Sequence, residues 1–213
     1  MNLWTPPKEW EGQEAYLIGG GPSLTGFDFS LLRGRNVIGC NDAFRLGPDI
    51  ISYCIFGDPG WWQKNRHELE QWPGRLVTNA PTMLSWEVPR LHKMARERDG
   101  IHSGSTLGWN YSTGAAAINL AISLGAIRIY LLGYDLSNRG NVSHWHPWNS
   151  KTTQEYAFRR FLNGFLCVSR SLPPGVSVIN VTDGSSRLPV FPRMSFLEFL
   201  ETLKAVEKEE IAA

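Results

Sequence analysis

Apolar and polar positions along the chain fall into blocks whose lengths separate strands from helices. Tyr16-Leu17-Ile18, Asn36-Val37-Ile38-Gly39-Cys40, Ile50 to Phe56, Arg75 to Thr78, Ile127 to Leu132 and Val176 to Asn180 are apolar runs of strand length. Aliphatic and aromatic residues fill them, as buried strands require. Between them lie stretches of helical character: Trp61 to Gln71, stopped by Pro73-Gly74; Ala115 to Gly125; the amphipathic Thr152 to Arg170; and Ser195 to Glu209. Phe27 to Gly34 reads as a short helical piece that Gly34 ends. This alternation predicts an α/β fold, a single Rossmann-like domain over residues 1–213 with a mostly parallel central sheet and helices on both faces. Residues 1–12 read as an irregular arm, and the chain carries no internal repeat, low-complexity segment or linker.

Two stretches break the pattern. Pro81 and Pro89 interrupt residues 80–111; within it Leu91 to Arg98 reads as a basic helix, and Asp99 to Asn110 as a loop long enough to act as a lid. Ser137 to Ser150 is a polar loop carrying His144-Trp145-His146.

The candidate chemistry begins where the first strand ends, at Gly19-Gly20-Gly21-Pro22-Ser23-Leu24. Glycines allow close backbone approach, and Pro suits the first position of a helix. Strand, Gly turn and helix N-terminus together would aim free N–H groups at a phosphate. No Gly-Lys-Ser/Thr follows, so this is no P-loop, and Leu24 stands where a dinucleotide fingerprint has its third glycine. A tight turn without ligand fits the same residues.

Other strands also end in small or polar residues: Asn41-Asp42, Gly57-Asp58 and Gly133-Tyr134-Asp135. Ligands of open α/β sheets sit at such carboxyl ends. An aspartate there can hold Mg²⁺ between phosphates or accept from ribose hydroxyls, and Asp58-Pro59-Gly60 also reads as a capping turn. Asn41-Asp42 follow Gly21 at about the spacing of a ribose-binding acid. Ser112 or Thr113 caps the Ala-rich helix, whose small residues let it pack tightly on the sheet. His144 and His146 suit a general base or a phosphate contact. With no Cys or third His nearby, a transition-metal site is the weaker reading. Arg159-Arg160 and Arg96-x-Arg98 read as solvated helix faces rather than phosphate clamps.

Composition narrows the classes. The net charge of +1 gives no signal for nucleic acid or an acidic membrane, and no apolar run reaches the length of a membrane span. Three cysteines without CxxC spacing read as reduced thiols, and the first residues lack a signal-peptide pattern, so a cytoplasmic location is expected. The Asn-x-Ser/Thr triplets at Asn110, Asn141 and Asn180 then read as chance. Nine tryptophans are many; Trp61-Trp62, Trp109, Trp145 and Trp148 lie in loop-like stretches where they either stack on a base or sugar or fill the core beneath loops.

The ordered set of Gly19-Gly20-Gly21-Pro22-Ser23-Leu24, Asn41-Asp42, Pro48-Asp49 through Gly57-Asp58, Ser112-Thr113-Gly114 and Ile129 to Leu136 followed by His144 resembles a known superfamily. It comprises bacterial CMP-sialic-acid sialyltransferases, motility-associated-factor glycosyltransferases and 6-hydroxymethylpterin diphosphokinases of the archaeal type. Val178 to Gly184 and Phe196 to Phe199 also look like the family's closing segments, and phage and prophage proteins of this size are similar. The resemblance implies that the Gly turn touches a nucleotide, with Gly20 replacing the sialyltransferases' Asn. It implies that Asn41 binds the nucleotide sugar, with Asp42 in place of a Gln. Thr113 and Gly114 match a Ser-Gly pair near the donor, and the catalytic His falls in the region of His144 and His146. Asp58 stands where sialyltransferases have Asn and the diphosphokinases have Asp, which implies a Mg²⁺–phosphate role. The loop lacks the pair of tyrosines that steadies a sialyltransferase leaving group.

The expected nucleotide-binding set is therefore Gly19, Gly20, Gly21, Pro22, Ser23, Asn41, Asp42, Asp58, Ser112, Thr113, Gly114 and Gly133. The expected catalytic set is His144, His146 and Asp135, with Asp58 as a Mg²⁺ ligand. The expected activity is transfer from a nucleotide or nucleotide-sugar donor to a small hydroxyl acceptor. Mg²⁺-dependent pyrophosphoryl transfer and a non-catalytic nucleotide-binding module are the alternatives, and self-association is left open.

Overall fold

The chain runs β1 (Glu14–Ile18), β2 (Val37–Cys40), β3 (Tyr53–Phe56), α1 (Pro59–Gln71), β4 (Arg75–Thr78), β5 (Leu91–Lys93), β6 (Ala95–Glu97), β7 (Thr106–Gly108), α2 (Thr113–Ser123), β8 (Arg128–Leu132), α3 (Glu155–Arg170), β9 (Ser177–Val181), β10 (Arg193–Met194) and α4 (Phe196–Ala212). The computed structural model of the protein describes residues 2–149 and 152–212, with side chains up to residue 205. Ser150, the end of the predicted polar loop, lies outside them. Eight strands form one sheet in the order β10-β9-β8-β1-β2-β3-β4-β5, every pair parallel. Leu17 pairs with Leu131 and Ala15 with Ile129, so β1 lies centrally beside a strand more than a hundred residues downstream.

Each strand's alternation serves both faces, which is what a sheet covered on two sides demands. Ala15, Leu17, Ile38, Ile129 and Leu131 pack with α2 residues such as Ile118 and Leu120 and α3 residues such as Phe165. Tyr16, Ile18, Val37, Tyr130 and Leu132 point the other way, onto Leu69 of α1 and Phe199 and Leu203 of α4. This is the α/β architecture the sequence predicts. No helix among the described residues is long and apolar enough to cross a membrane.

Several local expectations change. The Gly turn leads into a single 3₁₀ turn, Pro22–Leu24, and not into an α-helix. The Phe27–Gly34 piece is a 3₁₀ turn over Phe29–Leu32. Leu91 to Arg98 is not a basic helix: Arg90 at φ 63° follows Pro89 and turns the chain into β5 and β6. The loop expected from Asp99 to Asn110 contains β7, which pairs in parallel with β6, so the segment is anchored and not a lid. The long helix starts at Glu155 rather than Thr152, and β10 is a strand that two residues were too few to signal. The arm to residue 12 is irregular, as expected, but Trp10 is buried and Trp4 stacks on His92 at 4.3 Å.

Candidate active site

Strand order reverses at β1, which has β2 on one side and β8 on the other. The carboxyl ends there diverge into a crevice, the usual ligand position of an open α/β sheet. A cavity of about 650 Å³ occupies it. Gly19, Gly20, Gly21, Asn41, Asp42, Asp58, Ser112, Thr113, Gly114, Gly133, Asp135, His144 and His146 all line it, whereas Pro22 and Ser23 do not.

The Gly turn has duties within the protein. Gly19 N–H donates to Leu132 O at 2.8 Å, Gly21 N–H to Gly133 O at 2.8 Å and Ser23 N–H to Asp135 Oδ2 at 2.7 Å. A Cβ at Gly19 would fall 2.6 Å from Gly133 O, one at Gly20 2.9 Å from His144 Nδ1, and one at Gly21 2.6 Å from Asp135 Cγ. The glycines therefore let the end of β8 and the histidine loop close against the end of β1. Of the amides at Gly19, Gly20, Gly21 and Ser23, that of Gly20 has no hydrogen bond among the described residues.

The acids divide by environment. Asp135 is buried and both oxygens are used: Ser23 N–H donates to one and Ser23 Oγ to the other at 2.6 Å. Burial pushes its pKa up against the lowering effect of those bonds. Asp135, expected as catalytic, also joins the ends of β8 and β1 through these bonds. Asp42 is also buried and accepts from Trp61 Nε1 at 3.1 Å. Asn41, at φ 51°, adopts the left-handed conformation that Asn tolerates and turns the chain out of β2 along the cavity wall. Asp58 is exposed and caps α1, its Oδ1 accepting from Gly60 N–H at 2.8 Å. No group of three or more His, Cys, Asp or Glu arranged for a metal occurs among the described residues.

The histidine loop is fastened over the Gly turn. Trp145 Nε1–H donates to Gly19 O at 2.9 Å and its backbone N–H to Gly20 O at 3.1 Å. Around this clasp the rings form a column. His144 and His146 stack at 5.3 Å, His146 and Trp148 at 4.8 Å, and the Arg45 guanidinium lies 5.8 Å from the Trp148 ring. Burial lowers the pKa of His144, opposed by the Asp42 charge. His146 is more enclosed and its pKa is pushed down to about 4, chiefly by burial, and its Nδ1 has no hydrogen-bond partner among the described residues. Both rings are neutral at pH 7.

The N-termini of α1, at Asp58 and Pro59, and of α2, at Ser112 to Gly114, both face the cavity; Asp58 caps the first, and the second has no side-chain cap. Ser112 holds the cap position of α2 without a side-chain bond, and the Thr113, Gly114 and Ala115 amides have no acceptor among the described residues. Tyr134 Oη–H donates to Gly114 O at 3.3 Å, and a Cβ at Gly114 would fall 2.8 Å from that ring. Sequence reasoning missed Tyr111, Tyr156 and Arg160 in the cavity wall. Arg160 was read as part of a solvated face; it is exposed but brings a cation to the cavity. Arg96, likewise read as solvated, donates to the Asn79 and Gly57 carbonyls at 2.7 and 2.8 Å. Of the tryptophans expected in loops, Trp61 and Trp62 lie in α1, and Trp61 and Trp109 line the cavity.

No protein-family model and no curated protein sequence matches the chain. Solved structures do, and they define the class of fold as that of bacterial sialyltransferases. The sialyltransferase CstII from Campylobacter jejuni, in complex with the substrate analogue cytidine-5'-monophosphate (CMP), aligns with a TM-score of 0.55 at 14% identity, covering 86% of this chain and 85% of that one. The monofunctional α-2,3-sialyltransferase Cst-I from the same organism gives 0.52 at 17% identity, covering 85% and 80%. An α-2,3-sialyltransferase from Campylobacter jejuni in apo form gives 0.50 at 19%, covering 88% and 84%. At these identities the likeness is one of fold.

Proposed function

We propose that this chain is a nucleotide-dependent transferase of the glycosyltransferase kind, moving a sugar from a nucleotide-sugar donor to an acceptor hydroxyl. The observation that carries the reading is the switch-point cavity, which brings a free helix N-terminus and two neutral histidines together. The CMP complex of a structural neighbour supports the nucleotide part. In this reading the α2 amides hold the donor's phosphate. His144 accepts the acceptor hydroxyl's proton. Oxygen then bonds to the sugar's anomeric carbon, and the bond from that carbon to the phosphate oxygen breaks with its electrons leaving on the nucleotide. Asp42 stabilises the imidazolium that forms. His144 is assigned this part over His146 because it is the less enclosed ring and the less depressed base. Asp58 keeps one oxygen unused by its cap and faces the same cavity, which supports Mg²⁺-dependent pyrophosphoryl transfer as a second reading.

Calorimetry with CMP, UDP, ATP and nucleotide sugars, with and without Mg²⁺, separates these. The transferase reading expects a donor to bind and free nucleotide to be released. His144→Gln should keep donor affinity and slow release by a factor on the order of 10²–10⁴. Full turnover in that variant removes His144 from the mechanism. Binding without turnover marks a binding module. Binding of ATP that requires Mg²⁺ and is lost in Asp58→Asn favours the second reading.

A further inference from the structure

We propose that Trp109 and Tyr111 form the wall on which the base of the bound nucleotide stacks, and that the strained turn at Asn110 positions both rings. The proposal rests on the nucleotide reading above and names the part of the nucleotide this wall takes.

Asn110 and Tyr111 both have positive φ, 48° and 59°, and Ser112 N–H closes the turn onto Trp109 O at 3.1 Å. Two successive left-handed residues are the mark of a type I′ turn, whose second position is usually glycine. A tyrosine there is sterically disfavoured, so something must hold it. Asn110 does so. It is fully buried, its Oδ1 accepts from Gly100 N–H at 2.7 Å and its Nδ2–H donates to Gly100 O at 2.9 Å. Its carbonyl lies against α3 at Gly164, where a Cβ would be 1.7 Å away.

The strain has a product: two aromatic rings in the wall of the cavity, immediately before the α2 N-terminus. Each ring is backed by an arginine. The Arg96 guanidinium sits 4.0 Å from the centre of the Trp109 ring, and Arg98 Nε–H donates to Tyr111 Oη at 2.7 Å. Arg96 bonds only to carbonyl oxygens, so its charge is uncancelled by any carboxylate among the described residues. A cation held on an aromatic ring draws on that ring's electron density. Such a wall disfavours a cationic ligand and suits a neutral, polarisable base attached to an anionic phosphate. Filling the core does not require this arrangement, because both rings remain part-exposed to the cavity.

The test uses the full chain and calorimetry with CMP, UMP, AMP and GMP, and with ribose 5-phosphate, which has the phosphate and sugar but no base. Stacking one base is worth roughly 1–3 kcal/mol, so the best nucleotide should bind about 5- to 150-fold more tightly than ribose 5-phosphate. Tyr111→Ala should remove most of that margin while leaving ribose 5-phosphate affinity unchanged, and Tyr111→Phe, which keeps the ring, should restore most of it. Equal affinity of the wild-type protein for the nucleotides and ribose 5-phosphate overturns the proposal without any variant and leaves the phosphate reading standing. A base-dependent margin that survives Tyr111→Ala also overturns it. Binding of neither ligand class overturns this proposal and the nucleotide reading together.

Discussion

Substituting Gly20 and Gly21 in turn separates two uses of the Gly turn. Neither residue has a positive φ, so Ala is compatible with the backbone at both. What differs is the neighbour. At Gly20 the new Cβ would meet His144 Nδ1 at 2.9 Å, and an ordinary contact begins about 0.5 Å further out. His144 is a side chain on a loop and can move by that amount. At Gly21 the Cβ would lie 2.6 Å from both Gly133 O and Asp135 Cγ, a backbone atom and a carboxyl held by two hydrogen bonds, which have nowhere to go. Gly21→Ala should therefore cost the 1–3 kcal/mol typical of overpacking. Gly20→Ala should cost under about 1 kcal/mol but displace the histidine, and misplacing a reacting group by a fraction of an ångström to one ångström lowers turnover by roughly 10- to 100-fold. Chemical denaturation gives the stabilities; release of nucleotide from the donor gives turnover; calorimetry gives donor affinity. The reasoning is refuted if Gly20→Ala weakens donor binding as much as turnover, since the turn would then be holding donor rather than the histidine loop. It is equally refuted if Gly21→Ala is as stable as wild type.

Two further outcomes follow from the same site. Asp135→Asn should lose about 1–3 kcal/mol of stability by urea denaturation, because the new amide sets a donor against Ser23 N–H or Ser23 Oγ–H; an unchanged midpoint would show that this link is dispensable. His146 has its pKa depressed to about 4 in the folded protein from an ordinary value of 6.5, so the unfolded chain binds the extra proton first and stability falls as pH drops through that interval. The loss should be about 1.5 kcal/mol between pH 6.5 and 5, read from urea midpoints, and His146→Phe should flatten the slope.

The sheet was legible because its strands are short, continuous apolar runs, as burial on both faces requires; Ala15 and Leu17 pack on one side and Tyr16 and Ile18 on the other. The cavity's strand-end residues were legible by the same logic, since β1, β2, β3 and β8 each end in small or polar residues. The role of the Gly turn was not. Its glycines look the same in sequence with or without His144 and Asp135 packed against them, and only the register of β1 on β8 brings those side chains there. Residues 91–108 misled because three-residue strands carry too little alternation to outweigh a basic, helix-like composition. Tyr111 left no signal at all, since a left-handed tyrosine is contrary to local propensity and exists only because Asn110 is clamped from elsewhere.

The central place of β1 also sets a schedule for the ribosome. Its first neighbour, β2, is made soon after it, but its second, β8, begins at Arg128. At ordinary elongation rates of about 5–20 residues per second, that edge of β1 stays unpaired for roughly 5–20 s. Throughout this interval Ala15 to Ile18, an apolar strand edge, is open to pairing with any other emerging chain. Emergence of β8 pairs the edge, and Trp145, made seconds later, fastens the histidine loop to Gly19 and Gly20. Yield in a cell should therefore depend on elongation speed between residues 19 and 127 far more than on speed after residue 145.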